Sequence, residues 1–344
     1  MKNLRLIFLG LAVCFSAVGQ KQTLSLEDAV MQQYRNLKPN SLTMFQWIPN
    51  TDCYTYLEGY QKLMKASVKN TEAKEWFTIQ QVNEAIGAEL YWFSGLEWKN
   101  ENEFWLNNGQ QFYSFNTVES KGKLIYDLSN EAENAKFNAV SQNIAYTKAN
   151  NVYVQTKNGE KLIVTDFSDK NIVSGQAIAR SEFGITEGLF WSADGTKLAF
   201  YQKDETEVHD YPLLDNSKTP GELISIKYPM AGQKSEKARV GIFDLKTKET
   251  VYFAAKNGQD NYLTNLSWTP DGNYVVVAEV NRDQDHMWLN VYNAKNGKFV
   301  KTLFEETSDK WTEPEHPAFF PEKTNNNFVW ISERDGFNNL YYYD

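Results

Sequence analysis

Cysteine and histidine are scarce in this 344-residue chain, with two of one and three of the other. Cys14 lies in an apolar leader, so Cys53 is the single thiol beyond it. One thiol cannot close an internal disulfide or furnish a cysteine-rich metal site. Cys53 falls in the alternating run DCYTYL and reads as a small buried hydrophobe. His209, His286 and His316 lie far apart in unlike contexts. His209 sits among Asp204, Glu205, Glu207 and Asp210, which read as a solvated loop rather than a metal site. Positive charge is short as well: 35 Lys and Arg against 44 Asp and Glu give a net charge of −9. Without a basic stripe, nucleic acid is excluded as an expected partner. After the leader no stretch approaches the ~18 apolar residues of a membrane span. A G-x-S-x-G elbow, an H-E-x-x-H pair and a phosphate-cradling glycine loop are all missing, so no catalytic residue, metal or cofactor is expected of this chain.

Residues 1–20, MKNLRLIFLGLAVCFSAVGQ, have the form of a signal peptide. Lys2 and Arg5 make a positive start, Leu6 to Val13 an apolar centre, and Ala17-Val18-Gly19 a small-residue cleavage site. Val13 stands where lipid attachment at Cys14 would want a small residue. The expectation is a secreted or periplasmic protein whose residues 21–344 form one domain.

Aromatic residues are abundant: 21 Phe, 19 Tyr and 10 Trp. With the β-branched residues they favour strands, and they recur. WSADGTKLAF at 191–200 is echoed by WTPDGNYVVV at 268–277, and more weakly around Trp47, Trp98, Phe137 and Phe320. These aromatics are spaced 51, 39, 54, 77 and 52 residues apart. Each unit reads as a strand, a tight turn and further strands: LTNLSW, the turn Pro270-Asp271-Gly272, NYVVVAEV, MWLNVYNA, and a hairpin at Asn296-Gly297 into KFVKTL. Four antiparallel strands per repeat make an all-β propeller of four-stranded blades. Two helices decorate it, one opened by Ser25 before LEDAVMQQYRNL and one by the capping box Thr78-Ile79-Gln80-Gln81. The long gap between Trp191 and Trp268 holds Pro212, Pro220 and Pro229 and reads as a projecting arm. Asp194 and Asp271, each before a glycine, are turn formers.

The run SEFGITEGLFWSADGTKLAFYQKDETEV, then IKYPMAG, RVGIFDLKTKETVYF, LTNLSWTPDGNYVVVAEVNRDQ, EPEHPAFFPE and ISERDGFNNLYYYD, resembles in order the N-terminal β-propeller of the dipeptidyl peptidase IV family. It is most similar to Bacteroidetes members, prolyl tripeptidyl peptidase among them. The resemblance covers residues 21–344 and is strongest after 175. It implies an eight-bladed propeller over a C-terminal α/β-hydrolase domain that carries the Ser-Asp-His triad. The sequence stops at Asp344, inside a blade, and so is expected to be a fragment or truncated product of a proline-specific exopeptidase. The family's propeller glutamates bind the free α-amino group of the peptide substrate, and Glu182 is the matching residue here. Dipeptidyl members carry a Glu pair, whereas this chain has Ser181-Glu182, which leaves dipeptide and tripeptide release both open. Glu187 is the weaker alternative. The arm around Lys227-Tyr228-Pro229-Met230-Ala231-Gly232 resembles the family's dimerisation extension, with Tyr228, Pro229 and Gly232 as its marks. The implied partners are a peptide with a free N-terminus and a nearby proline, the hydrolase domain of the same chain, and a second copy. A non-catalytic, TolB-like binding propeller of the cell envelope is the alternative.

Overall fold

The computed structural model describes residues 23–39, 41–128, 132–321 and 327–344. The leader lies outside them, as does the Glu322 end of EPEHPAFFPE. Two compact units are distinguished, residues 1–43 and 44–344.

In the first unit the expected helix is much shorter. Its regular part is a five-residue π-helical turn, Asp28–Gln32, with no buried side chain. Ser25 does cap it: its Oγ accepts from the Asp28 amide at 3.0 Å, and its own amide donates to Asp28 Oδ2 at 3.2 Å. Leu26, Val30, Met31 and Tyr34 stay exposed. A helix of this length gains little without a packed apolar face.

The second unit is all-β, built from consecutive antiparallel sheets. The first holds β1 (Thr43–Trp47), β2 (Cys53–Glu58), β3 (Lys62–Ser67) and β4 (Lys74–Thr78). After α1 (Ile79–Ile86) come β5 (Glu97–Trp98), β6 (Glu103–Asn107), β7 (Gln111–Asn116) and β8 (Lys121–Asp127). The third sheet is β9 (Glu133–Phe137), β10 (Ile144–Lys148), β11 (Asn151–Gln155) and β12 (Lys161–Ile163). The fourth contains β13 (Ile172–Ser174), β14 (Leu189–Trp191) and β15 (Lys197–Asp204). The chain then leaves as a separate hairpin, β16 (Asp210–Asp215) and β17 (Glu222–Lys227). It returns to the fourth sheet as β18 (Lys237–Asp244) and β19 (Glu249–Ala254). The fifth is β20 (Tyr262–Trp268), β21 (Tyr274–Val280), β22 (His286–Asn293) and β23 (Phe299–Thr307). A last pair, β24 (Phe328–Ser332) and β25 (Asn339–Tyr343), is joined through a bridge from Phe319 to Val329.

The central strands of the inner sheets are apolar on both faces because they are covered on both sides. Along β15, Leu198 and Phe200 pack towards the third sheet, with Val152 and Val154. Ala199 and Tyr201, on the opposite face, pack towards the fifth, with Leu263 and Val275. This is the period-2 alternation of a strand, read by two different cores. Phe104 and Leu106 likewise join the cluster of the first two sheets, while Trp105 joins that of the second and third. Burying one such side chain contributes about 1.5–3 kcal/mol. The capping box at Thr78 is present, but α1 is no decoration: Ile79, Val82 and Ile86 are buried in the first of these clusters. Cys53 is half-buried against the same cluster rather than fully enclosed.

The repeated aromatic closes the first strand of each sheet: Trp47, Trp98, Phe137, Trp191 and Trp268 end β1, β5, β9, β14 and β20. Where it is tryptophan it can tie one sheet to the one before. Trp98 Nε1 donates to Thr55 Oγ1, Trp191 Nε1 to the Lys136 carbonyl and Trp268 Nε1 to the Phe190 carbonyl, each at 2.9 Å. Trp268→Phe keeps most of the ring and removes the bond, so unfolding free energy should fall by about 1–2 kcal/mol, read from a denaturant midpoint at unchanged m-value. The turns that follow repeat a second device. Asp194 Oδ1 accepts from Ser192 Oγ at 2.7 Å and the Thr196 amide at 3.1 Å. Asp271 Oδ1 accepts from Thr269 Oγ1 at 2.7 Å and the Asn273 amide at 2.9 Å. Burial acts to raise the Asp194 carboxyl, yet bonds from Ser192 and Thr196 and the charge of Lys197 hold it below its ordinary range. Both aspartates are turn formers.

Candidate functional site

The first strand of the fourth sheet is split. β13 pairs with one end of β15 (Ser174 opposite Gln202) and β14 with the other (Leu189 opposite Phe200). Between them residues 175–188 leave the sheet as an excursion whose two ends are held by one residue. The Gly175 amide donates to the Tyr201 carbonyl at 2.7 Å, and the Tyr201 amide to the Gly188 carbonyl at 3.0 Å. The neck is narrow: a Cβ on Gly188 would lie 2.4 Å from the backbone of Gly175 and Gln176.

At the tip is a 3-10 turn, Ala179–Gly184, carrying Glu182. Its backbone alternates into the left-handed region, with φ of 51° at Ala179, 65° at Ser181, 57° at Phe183 and 66° at Gly184. Non-glycine residues there cost on the order of 1–3 kcal/mol each and persist only where surroundings over-determine them. The flanks supply that restraint. Ile178, Phe183 and Ile185 are buried in the largest core cluster. The Phe183 ring lies 5.0 Å from that of Tyr262, and the Phe183 carbonyl accepts from Asn265 Nδ2 at 3.0 Å. Gly184 rests against the Glu315 carbonyl, which a Cβ would approach to 2.3 Å. Apolar anchors on either side thus present the exposed Glu182 from a stiff turn.

Glu182 lines a cavity of about 190 Å³ together with Glu205, Glu236, Asp260, Tyr228, Pro229 and Arg282. The acids differ in how they are engaged. Lys203 Nζ lies 2.8 Å from Glu205 and 3.5 Å from Glu236, and Glu236 Oε1 also accepts from the Ala179 amide at 2.7 Å. Among the described residues nothing hydrogen-bonds or ion-pairs with the Glu182 carboxylate. Arg282 lies over the Tyr262 ring, 4.9 Å from its centroid. The cavity therefore joins an unengaged carboxylate to aromatic walls, an arrangement suited to a small cation.

Glu187 is committed elsewhere: Lys136 Nζ meets its two carboxylate oxygens at 2.7 and 2.8 Å. The acids near His209 are likewise engaged. Glu207 binds both Lys234 and Lys237, whose hydrogen bonds pull its carboxyl down to about 2. Among the described residues no group of three His, Cys, Asp or Glu is placed to hold a metal ion.

The expected arm is the β16–β17 hairpin. Leu214 stands opposite Leu223 and both are exposed, at 59% and 75%. Tyr228 and Pro229 follow β17 and line the Glu182 cavity, so two marks assigned to the arm are brought to the same place as the site acid. Gly232 is not; it sits in an open turn at φ 79°. Glu236, Asp260, Tyr262 and Arg282 went unmarked in the sequence, being 54 to 100 residues from Glu182 with no repeat or motif to connect them.

Residues 91–344 match the family model described as the dipeptidyl peptidase IV N-terminal region. A crystal structure of a putative dipeptidyl aminopeptidase IV from Bacteroides ovatus aligns with a TM-score of 0.73 and 33% identity, covering 89% of this chain and 43% of that one. Porphyromonas gingivalis dipeptidyl peptidase 4 shares the fold at a TM-score of 0.70 and 19% identity, over 94% of this chain and 48% of that chain. Saccharomyces cerevisiae dipeptidyl aminopeptidase B is 26% identical over 253 residues, 68% of this chain and 31% of its own length. The chain thus spans less than half the length of these relatives. It belongs to the family defined by the dipeptidyl peptidase IV N-terminal region.

Proposed function

We propose that the consecutive sheets are blades of a β-propeller that serves a secreted, proline-specific exopeptidase, and that Glu182 receives the substrate's terminal ammonium. The observation that carries this reading is the Glu182 carboxylate, unengaged among the described residues, on a strained, apolar-anchored turn at the cavity. An ammonium facing it would form charge-assisted hydrogen bonds. Because the turn is stiff, the contact sets a fixed distance from the peptide's N-terminus to the bond to be cut, and internal segments have no such group to offer. Cleavage itself belongs to an α/β-hydrolase domain of the full-length protein, with the propeller gating access. The assay is hydrolysis by that protein of Gly-Pro and Ala-Ala-Pro p-nitroanilides beside their N-acetylated forms. Free-amine substrates should be cleaved and acetylated ones should not; the better of the two free peptides gives the product length. Equal cleavage of free and acetylated peptides would overturn the reading.

The arm fits a homodimer contact. Leu213 and Leu214 face Ile224 and Leu223 across the hairpin, and all four are exposed. Apolar side chains on both faces of an isolated hairpin call for a cover. Leu214→Glu with Leu223→Glu should turn a dimer into a monomer in sedimentation while thermal unfolding shifts little.

A further inference from the structure

We propose that Glu236 is a positioning residue: its carboxylate, by accepting the Ala179 amide, holds the strained turn at the pitch that aims Glu182 into the cavity. The inference rests on the amine-capture reading and goes beyond it. Ala179 is the first residue of the turn, and its amide is one of the donors that a helical turn leaves without an internal partner. Its acceptor comes from 57 residues away, at 2.7 Å. The residue before the turn, Ile178, offers no side-chain cap, so the local sequence cannot satisfy this donor.

Glu236 is itself held. Lys203, on β15, lies between it and Glu205, and the three side chains are only 14%, 14% and 11% exposed. A short bond to a charged acceptor is about twice as strong as a neutral one, and this one is donated by a residue at φ 51°. The other restraints on the excursion grip it elsewhere: Tyr201 at the neck, and Phe183, Gly184 and Ile185 beyond Glu182. On the N-terminal side of Glu182, Ile178 is buried with Ala177 and Ala179 packed beside it, and Glu236 adds a directional bond. Without that bond the turn can pivot about its buried far side, and the Glu182 carboxylate moves with it.

The experiment compares Glu236→Ala, Glu236→Gln and Glu182→Gln in the full-length protein. It reads hydrogen exchange over residues 178–184 and steady-state kinetics on Gly-Pro-p-nitroanilide. Glu236→Gln keeps a side-chain oxygen for the Ala179 amide. Glu236→Ala should speed exchange of the segment about tenfold and raise KM about tenfold with kcat nearly unchanged, the mark of lost uniform binding. Glu236→Gln, whose neutral oxygen makes a weaker bond, should fall between wild type and the alanine variant in both. Unchanged exchange in Glu236→Ala overturns the proposal, as does a glutamine variant as impaired as the alanine one, which would assign the effect to charge. Faster exchange in Glu236→Ala together with an unaffected KM in Glu182→Gln would leave the clamp standing and overturn the amine reading instead.

Discussion

Glu279→Ala should lower the unfolding free energy by about 3–5 kcal/mol, because it takes one acceptor from four donors and a buried donor left unsatisfied costs about 1–3 kcal/mol. Glu279 is fully buried on β21. Its Oε2 accepts from the Lys256 amide at 3.0 Å and Asn290 Nδ2 at 2.9 Å. Its Oε1 accepts from the Asn257 amide at 2.7 Å and Asn261 Nδ2 at 2.8 Å. Alanine leaves all four donors without this acceptor, and Asn290 cannot simply turn over, because its Oδ1 already accepts from Thr302 Oγ1 at 2.7 Å. In a unit of this size each kcal/mol is worth roughly 2–4 °C, so the melting temperature should fall by on the order of 10 °C. Glu279→Gln, which keeps one oxygen but turns an amide towards a donor, should lose less. A shift of only a degree or two in Glu279→Ala would mean that water takes over the four bonds. The loop held in this way ends at Asp260 and Asn261, in the wall of the Glu182 cavity, so core stability and site shape share one residue.

The repeat was legible because its signals are local. An aromatic before a Ser/Thr-x-Asp-Gly turn and an apolar strand needs only neighbours in sequence, and Trp191 and Trp268 end their strands as the spacing implies. What the indole does was not legible, since its acceptors, Lys136 and Phe190, lie on the preceding sheet. The same limit hid the split first strand. Ile172–Ser174 is too short to announce itself, and its register with β15 is set across the sheet. Glu182 stood out by resemblance, whereas the ion pair that engages Glu187 comes from Lys136, 51 residues away, and leaves no mark in the local sequence. The N-terminal segment erred in the other direction. LEDAVMQQYRNL has helical composition and a serine that caps it, but no apolar face is buried to extend the helix past Gln32.

Glu182→Gln, in the full-length protein, should cut kcat/KM for free-amine substrates about ten- to a hundredfold. The substitution keeps shape and one oxygen while removing the charge opposite the ammonium, and a hydrogen bond to a charged group contributes roughly 1.5–3 kcal/mol. Stability should hardly change, because the side chain is exposed and unengaged among the described residues and the anchors of its turn are Ile178, Phe183 and Ile185. The diagnostic comparison is with N-acetylated peptides, which bring no ammonium: on these, mutant and wild type should be equally poor. Glu187→Gln is the matched control. It removes the charge opposite Lys136 but no unengaged carboxylate, so it should spare the free-amine preference. Equal losses on free and acetylated peptides in Glu182→Gln would make Glu182 a general shaper of the cavity. No loss on either would return it to the solvent-exposed acids of the surface, and a loss confined to Glu187→Gln would move the ammonium site to the other end of the excursion.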